Sequence, residues 1–114
     1  MPELLTHSDI ISLHASSDER NNPIISKNEL KLMKSTALLI NTSRGSNIDE
    51  DQLMVALNNN VIGGACLDVF NQEPYEGDFA KLDNVILTPH IGGYTYNVRR
   101  GLEVESVINL GKFL

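Results

Sequence analysis

Residues 37–45, ALLINTSRG, carry an apolar run that stops at Asn41, Thr42, Ser43, Arg44 and Gly45. A run of strand length with no apolar–polar alternation reads as a strand covered on both faces. Such a strand would end by delivering an arginine, and that is what makes its setting worth reconstructing. Three more runs have the same character: DIISLH at 9–14, VIGGACLDV at 61–69 and NVILTPH at 84–90.

Helical signals separate the first three runs. In SKNELKLMK (26–34), Ser26 and Glu29 have capping-box spacing, and Leu30 and Met33 share a helical face. In DEDQLMVALNNN (49–60), Asp49 and Gln52 repeat the cap spacing, Leu53, Ala56 and Leu57 form the stripe, and Asn60 and Gly63 punctuate its end. The segment 70–83, FNQEPYEGDFAKLD, has no helical period and reads as a long loop of the kind that often carries function. After the turn IGGYT, residues 98–114 read as a terminal helix with Val104, Val107 and Ile108 on one side. Strands alternating with crossover helices imply an α/β fold with a parallel sheet.

Ligands of open parallel sheets bind beyond the carboxyl ends of the strands. The polar residues collect there: His14 after the first strand, Thr42 and Arg44 after the second, Asp68 after the third and His90 after the fourth. Glu73 follows Asp68 in the loop. On one rim, Arg44 is placed to meet an anion, and Gly45 is expected to let the chain turn sharply behind it. Taken singly, each has a duller reading: Arg44 as a surface ion pair, Asp68 as a turn cap, Glu73 as a solvated carboxylate, His90 as a structural histidine. His7 reads as surface, and Tyr94 and Tyr96 as packing residues. Convergence on one rim favours the functional reading.

Composition narrows the possibilities. With 114 residues, 41% of them hydrophobic, the chain forms one domain with a modest core. A net charge of −6 with nine scattered basic residues argues against nucleic-acid binding. The one cysteine, Cys66, excludes an internal disulfide and reads as a small buried hydrophobe, and the histidines give no metal-ligand spacing. No apolar stretch reaches membrane-spanning length, and a cytoplasmic setting is expected.

The segments SDIISLH, MKSTALLINTSRGSNIDEDQLMVAL, GGACLDVFNQEP and LDNVILTPHIGGYT resemble, in order and spacing, the NAD-dependent D-2-hydroxyacid dehydrogenases. The resemblance covers nearly the whole chain. It implies that Arg44 binds the carboxylate and carbonyl of a small 2-hydroxy or 2-keto acid, and that Glu73 and His90 form a proton-relay pair. It further implies that Asp68 holds the nicotinamide carboxamide. Thr42, Ser43, Gly92 and Gly93 would then line the nicotinamide, and His14 with Ala15 would form a loop over the cofactor, expected to be NAD. The chemistry fits these residue types: imidazole titrates near neutrality, a neighbouring carboxylate favours its charged form, and guanidinium matches a carboxylate as a planar fork.

The departures define what is missing. The eight glycines make no G-x-G-x-x-G turn, and no acidic ribose-reading residue follows one. Residues 1–114 therefore correspond to the second half of a Rossmann-type NAD-binding domain: four strands with crossover helices and a C-terminal helix. The glycine-fingerprint half and the substrate domain are lacking. A start at Met1, just before the fourth strand of the family sheet, reads as either a truncated reading frame or an excised piece. The strand at 9–14 is expected to present a free edge, so a homodimer or association through that edge is expected, and catalysis by the isolated chain is not. The alternative is a non-enzymatic interaction module, since the family includes corepressors that use this fold for binding.

Overall fold

The computed structural model describes residues 1–16 and 22–113. Four parallel strands form one sheet in the order β1-β2-β3-β4: β1 Ile10–Leu13, β2 Leu38–Asn41, β3 Gly64–Leu67 and β4 Val85–Leu87. Each falls within one of the four apolar runs. Helix α2 (Lys27–Leu32) joins β1 to β2, and α3 (Glu50–Asn58) joins β2 to β3. Glu29 reaches back to accept from the Ser26 N–H at 3.0 Å, and Asp49 caps α3 by accepting from the Gln52 N–H at 3.1 Å. The stripe Leu53, Ala56 and Leu57 is buried, and Asn60 takes a left-handed φ of 51° where α3 has ended.

Helix α1 (Pro2–His7) was not anticipated; Pro2 in its first turn, Glu3 beside it and the buried Leu5 are its only sequence signals. The connection from β3 to β4 contains no α-helix. A single 3-10 turn at Asp78–Lys81 and an aromatic stack give it its own core, with ring centroids of Phe70 and Tyr75 4.2 Å apart and those of Tyr75 and Phe79 5.6 Å apart. Phe79 is fully buried. Helix α4 (Tyr96–Gly111) starts two residues before the expected terminal helix at 98–114 and ends at Gly111; Leu114 is outside the described residues.

The expectation that the strands are covered on both faces fails. Side chains of Ile11, Leu13, Leu39, Ala65 and Leu67 point into the core with Leu5, Leu30, Met33, Leu53 and Leu57. The opposite face carries Ile10, Leu38 and Ile86, which are 60%, 39% and 64% exposed. Strand order gives the reason. Right-handed crossovers between strands laid down in one direction place every connection on the same face, and a second layer requires the strand order to reverse. Here it never reverses. Their exposure forgoes part of the roughly 1.5–3 kcal/mol that fully burying each would contribute. Cys66, read as buried, is only half-buried on this same face. Helix α4 adds no cover, since none of its residues is buried, and Tyr94 and Tyr96 are exposed rather than packed.

Gly45 is needed for a reason other than the expected sharp turn. No glycine of the described residues has a positive φ; instead a Cβ at Gly45 would lie 2.0 Å from the Phe70 carbonyl carbon and 2.4 Å from the Asn71 nitrogen. The loop after β3 crosses directly over the turn after β2. Gly45→Ala is expected to lower stability in thermal unfolding by about 1–3 kcal/mol through overpacking against backbone. Gly93→Ala, where a Cβ meets nothing within 4 Å, should stay within about 0.5 kcal/mol.

Candidate active site

All four strands end on one side of the sheet, and the residues following them form a polar rim. After β2, the side chain of the fully buried Asn41 organises the turn. Its Oδ1 accepts from the Ser43 N–H at 3.1 Å and the Ser43 hydroxyl at 2.8 Å, while its Nδ2 donates to the Arg44 carbonyl at 2.9 Å. Asn47, also buried, donates from Nδ2 to Ser43 Oγ at 2.9 Å and to the Ala15 carbonyl at 2.8 Å. This network ties the segment after β1 to the turn after β2, and among the described residues no fully buried side-chain polar atom lacks a partner. It leaves the Thr42 and Arg44 side chains exposed on the rim. Arg44 donates to the Ser43 carbonyl at 2.6 Å and pairs with no carboxylate among the described residues.

Asp68 continues the ladder past β3, its N–H donating to the Asn41 carbonyl at 2.9 Å. It is buried, and its carboxylate gathers the turn after β4. Oδ1 accepts from the Thr88 hydroxyl and from the Ile91 N–H at 2.9 Å, and Oδ2 accepts from the Gly92 N–H at 2.8 Å. Burial raises the carboxyl pKa, but these three hydrogen bonds and the nearby His90 charge outweigh it and hold the group below its usual 3.8. The clamp has a conformational purpose. His90 sits at φ 54°, a left-handed conformation that costs a side-chain-bearing residue about 1–2 kcal/mol. Hydrogen bonds to a charged group contribute roughly 1.5–3 kcal/mol each, enough to hold it there. Gly92 is required by the same clamp, since a Cβ would lie 2.9 Å from Asp68 Oδ2.

The clamp aims His90 at Glu73. Nδ1 of the imidazole is 2.7 Å from Glu73 Oε2, while Glu73 Oε1 accepts from the Phe70 N–H at 3.0 Å. An ionised carboxylate can only accept, so Nδ1 carries the hydrogen and Nε2 is left for another partner. The hydrogen bond from His90, then that from Phe70, hold the Glu73 pKa below its usual 4.5. A cavity of about 240 Å³ lined by Phe70, Tyr75, Leu87 and Pro89 backs the pair with an apolar wall. Glu50, at the start of α3, accepts from the Asn71 N–H at 2.7 Å and is raised above 4.5 by burial, a second tether between this loop and the β2 side.

Of the residues singled out from sequence, the fold brings Glu73 onto His90 and Asp68 onto Gly92, and it links Ser43 to Ala15 through Asn47. His14 follows β1, its imidazole Nε2 hydrogen-bonded to Ser12 Oγ at 2.8 Å, and Gly93 lies in open space. Asn41, Asn47, Glu50 and Thr88 were not singled out. Asparagine ending a strand and threonine before Pro-His were their only signals.

A parallel sheet with crossover helices and a polar rim at its carboxyl edge defines a Rossmann-like domain portion. Residues 1–92 match the family model "D-isomer specific 2-hydroxyacid dehydrogenase, NAD binding domain". A glyoxylate reductase of Thermococcus litoralis is 49% identical over 111 residues, covering 96% of this chain and 34% of that protein. A glyoxylate reductase of Pyrococcus horikoshii is 44% identical over 114 residues, covering 99% and 34%. Among solved structures, an acyclic imino acid reductase in complex with NADPH and D-Arg superposes with a TM-score of 0.90 at 38% identity, covering 98% of this chain and 36% of that one. The NAD-complexed D-isomer specific 2-hydroxyacid dehydrogenase from Lactobacillus delbrueckii ssp. bulgaricus has a TM-score of 0.77 at 32% identity, covering 96% and 40%. The chain belongs to the D-isomer specific 2-hydroxyacid dehydrogenase family and is NAD(P)-binding-domain sequence of it. It spans about a third of the length of the curated relatives it matches.

Because the Asp68 pKa is depressed in the folded state, its stabilisation is complete above 3.8 and is lost as pH falls through the lowered value. Urea unfolding between neutral pH and pH 3 should therefore show a steeper loss of stability in the native sequence than in Asp68→Asn. At neutral pH that variant should be less stable by about 1–3 kcal/mol.

Proposed function

We propose that residues 1–114 form the nicotinamide half of the NAD-binding domain of a D-2-hydroxyacid dehydrogenase, lacking the glycine-fingerprint half and the substrate domain. The supporting observation is the Glu73–His90 pair at 2.7 Å on the same rim as an Arg44 unpaired among the described residues. In this reading Arg44 holds the carboxylate of a small 2-keto acid and polarises its carbonyl. Doubly protonated His90, fixed by Glu73 through Nδ1, gives its Nε2 proton to the oxygen that becomes the hydroxyl. Nicotinamide, when bound, supplies the hydride to the carbonyl carbon, so keto acid, hydride and proton balance to the 2-hydroxy acid.

Asp68 already accepts three hydrogen bonds, and a carboxylate offers about four acceptor positions. One remains for a carboxamide N–H, so the cofactor role and the clamp are compatible. Thr42, Ser43, Gly92 and Gly93 form the wall beside the ring, and His14 with Ala15 the loop over it. NAD is the cofactor we assign, and glyoxylate, which names the two archaeal relatives, is the first substrate to try. Half of the cofactor contacts and the substrate clamp are absent, so the isolated chain is expected not to turn over.

Calorimetric titration with NADH tests this reading. Gly93→Val is the informative variant, because its side chain enters open space and leaves the fold intact while narrowing the rim. Saturable binding that Gly93→Val abolishes, without glyoxylate reduction, is expected. No binding up to millimolar NADH, or binding indifferent to Gly93→Val, would overturn it. A second reading as an interaction module is favoured by the uncovered sheet face; partner binding that survives His90→Ala would support it.

A further inference from the structure

The loop that carries Glu73 leaves β3 and crosses the turn after β2, and its first peptide groups are held from two sides. The Phe70 N–H donates to Glu73 Oε1 at 3.0 Å, which closes a small ring of chain from residue 70 to residue 73. Inside that ring lies the peptide group joining Phe70 to Asn71. Its carbonyl end passes over Gly45, where a Cβ would collide with it, and its N–H donates to Glu50 Oε1 at 2.7 Å. A peptide group is planar, so holding both ends fixes its tilt and the direction in which the chain runs on to Glu73.

Glu50 is well placed to do this. It is the first residue of α3, next to the N-cap Asp49, and the helix is anchored by the buried Leu53, Ala56 and Leu57. Its side chain reaches across 21 residues of sequence to the loop. The half-buried site disfavours the charge, since burial holds the carboxyl above its usual 4.5 against the pull of the Asn71 N–H, yet a carboxylate stands there. Farther along, the contact between Glu73 Oε2 and His90 Nδ1 is 2.7 Å, and such bonds lie at roughly 2.7–3.2 Å. A displacement of Glu73 by about 1 Å would open it.

We propose that Glu50 is a positioning residue for the Glu73–His90 pair: by holding the Asn71 N–H from α3, it sets the turn at 70–73 from which Glu73 meets both the Phe70 N–H and His90. Glu50 touches neither member of the pair and acts through the loop backbone. Its value to a reaction rests on the reading of that pair as a proton relay; its effect on the pair's geometry does not.

NMR of the native chain, Glu50→Ala and Glu50→Gln tests the proposal. Glutamine keeps a carbonyl acceptor for the Asn71 N–H without the charge, whereas alanine offers none. Glu50→Ala should speed amide exchange at both Asn71 and Phe70 by about tenfold or more, while β2 and β3 keep their protection. The ¹⁵N signals of the neutral His90 ring should place its hydrogen on Nδ1 in the native chain and in Glu50→Gln, and on both nitrogens in Glu50→Ala. Release of Asn71 alone, with Phe70 and the His90 ring unchanged, would overturn the proposal. So would faster exchange spread evenly through β2 and β3, which is lost stability rather than lost position, or a Glu50→Gln variant that behaves as Glu50→Ala does. None of these readouts needs cofactor or substrate, so they fail separately from the cofactor reading, which the NADH titration tests.

Discussion

The buried carboxylate of Asp68 is the contact on which the rim depends. It stands at the end of β3, where the ladder places it beside Thr88, and it accepts from Thr88, Ile91 and Gly92 together. Without it, only the His90 N–H to the Thr88 carbonyl and the contact with Glu73 would remain to hold the left-handed conformation. Glu73 is itself fixed by the Phe70 N–H, and the Phe70–Asn71 backbone is pressed against Gly45. A chain of short contacts thus runs from β4 through the loop to the turn that carries Arg44. These contacts hold together in a chain that spans about a third of the length of the curated relatives it matches.

The same topology that assembles the rim leaves the fold half-clothed. Four strands added in one direction bring all carboxyl ends to one side and all connections to one face. Ile10, Leu38 and Ile86 are written for a second layer that the described chain does not place over them. The cost is roughly 2–5 kcal/mol of forgone burial, a sizeable fraction of the stability of a small domain.

The fold class was legible because it rests on local signals: continuous apolar runs, two N-caps at the right spacing, and the stripe of Leu53, Ala56 and Leu57. The second face was not, because a strand apolar on both sides reports what its sequence is suited to, not what covers it. Helix α1 escaped because six residues give too short a window for periodicity. On the rim, the placement of Arg44, Asp68, Glu73 and His90 beyond the strand ends was legible from the order of the apolar runs. Asn41, Asn47 and Thr88 were not, because their part is to satisfy buried backbone groups brought together only by folding. Gly45 was noticed for the wrong reason: sequence suggests a turn, whereas the structure shows another backbone crossing where a Cβ would stand.

The most direct test of the clamp is amide hydrogen exchange along the turn after β4, followed residue by residue by NMR at neutral pH. Ile91, Gly92 and Gly93 are all exposed, so accessibility alone would have their amides exchange alike. If Asp68 holds the turn, the Ile91 and Gly92 amides exchange about tenfold or more slowly than that of Gly93, relative to their intrinsic rates. Equal exchange at all three would contradict the account, and His90 would then be held by Glu73 and the Thr88 carbonyl alone.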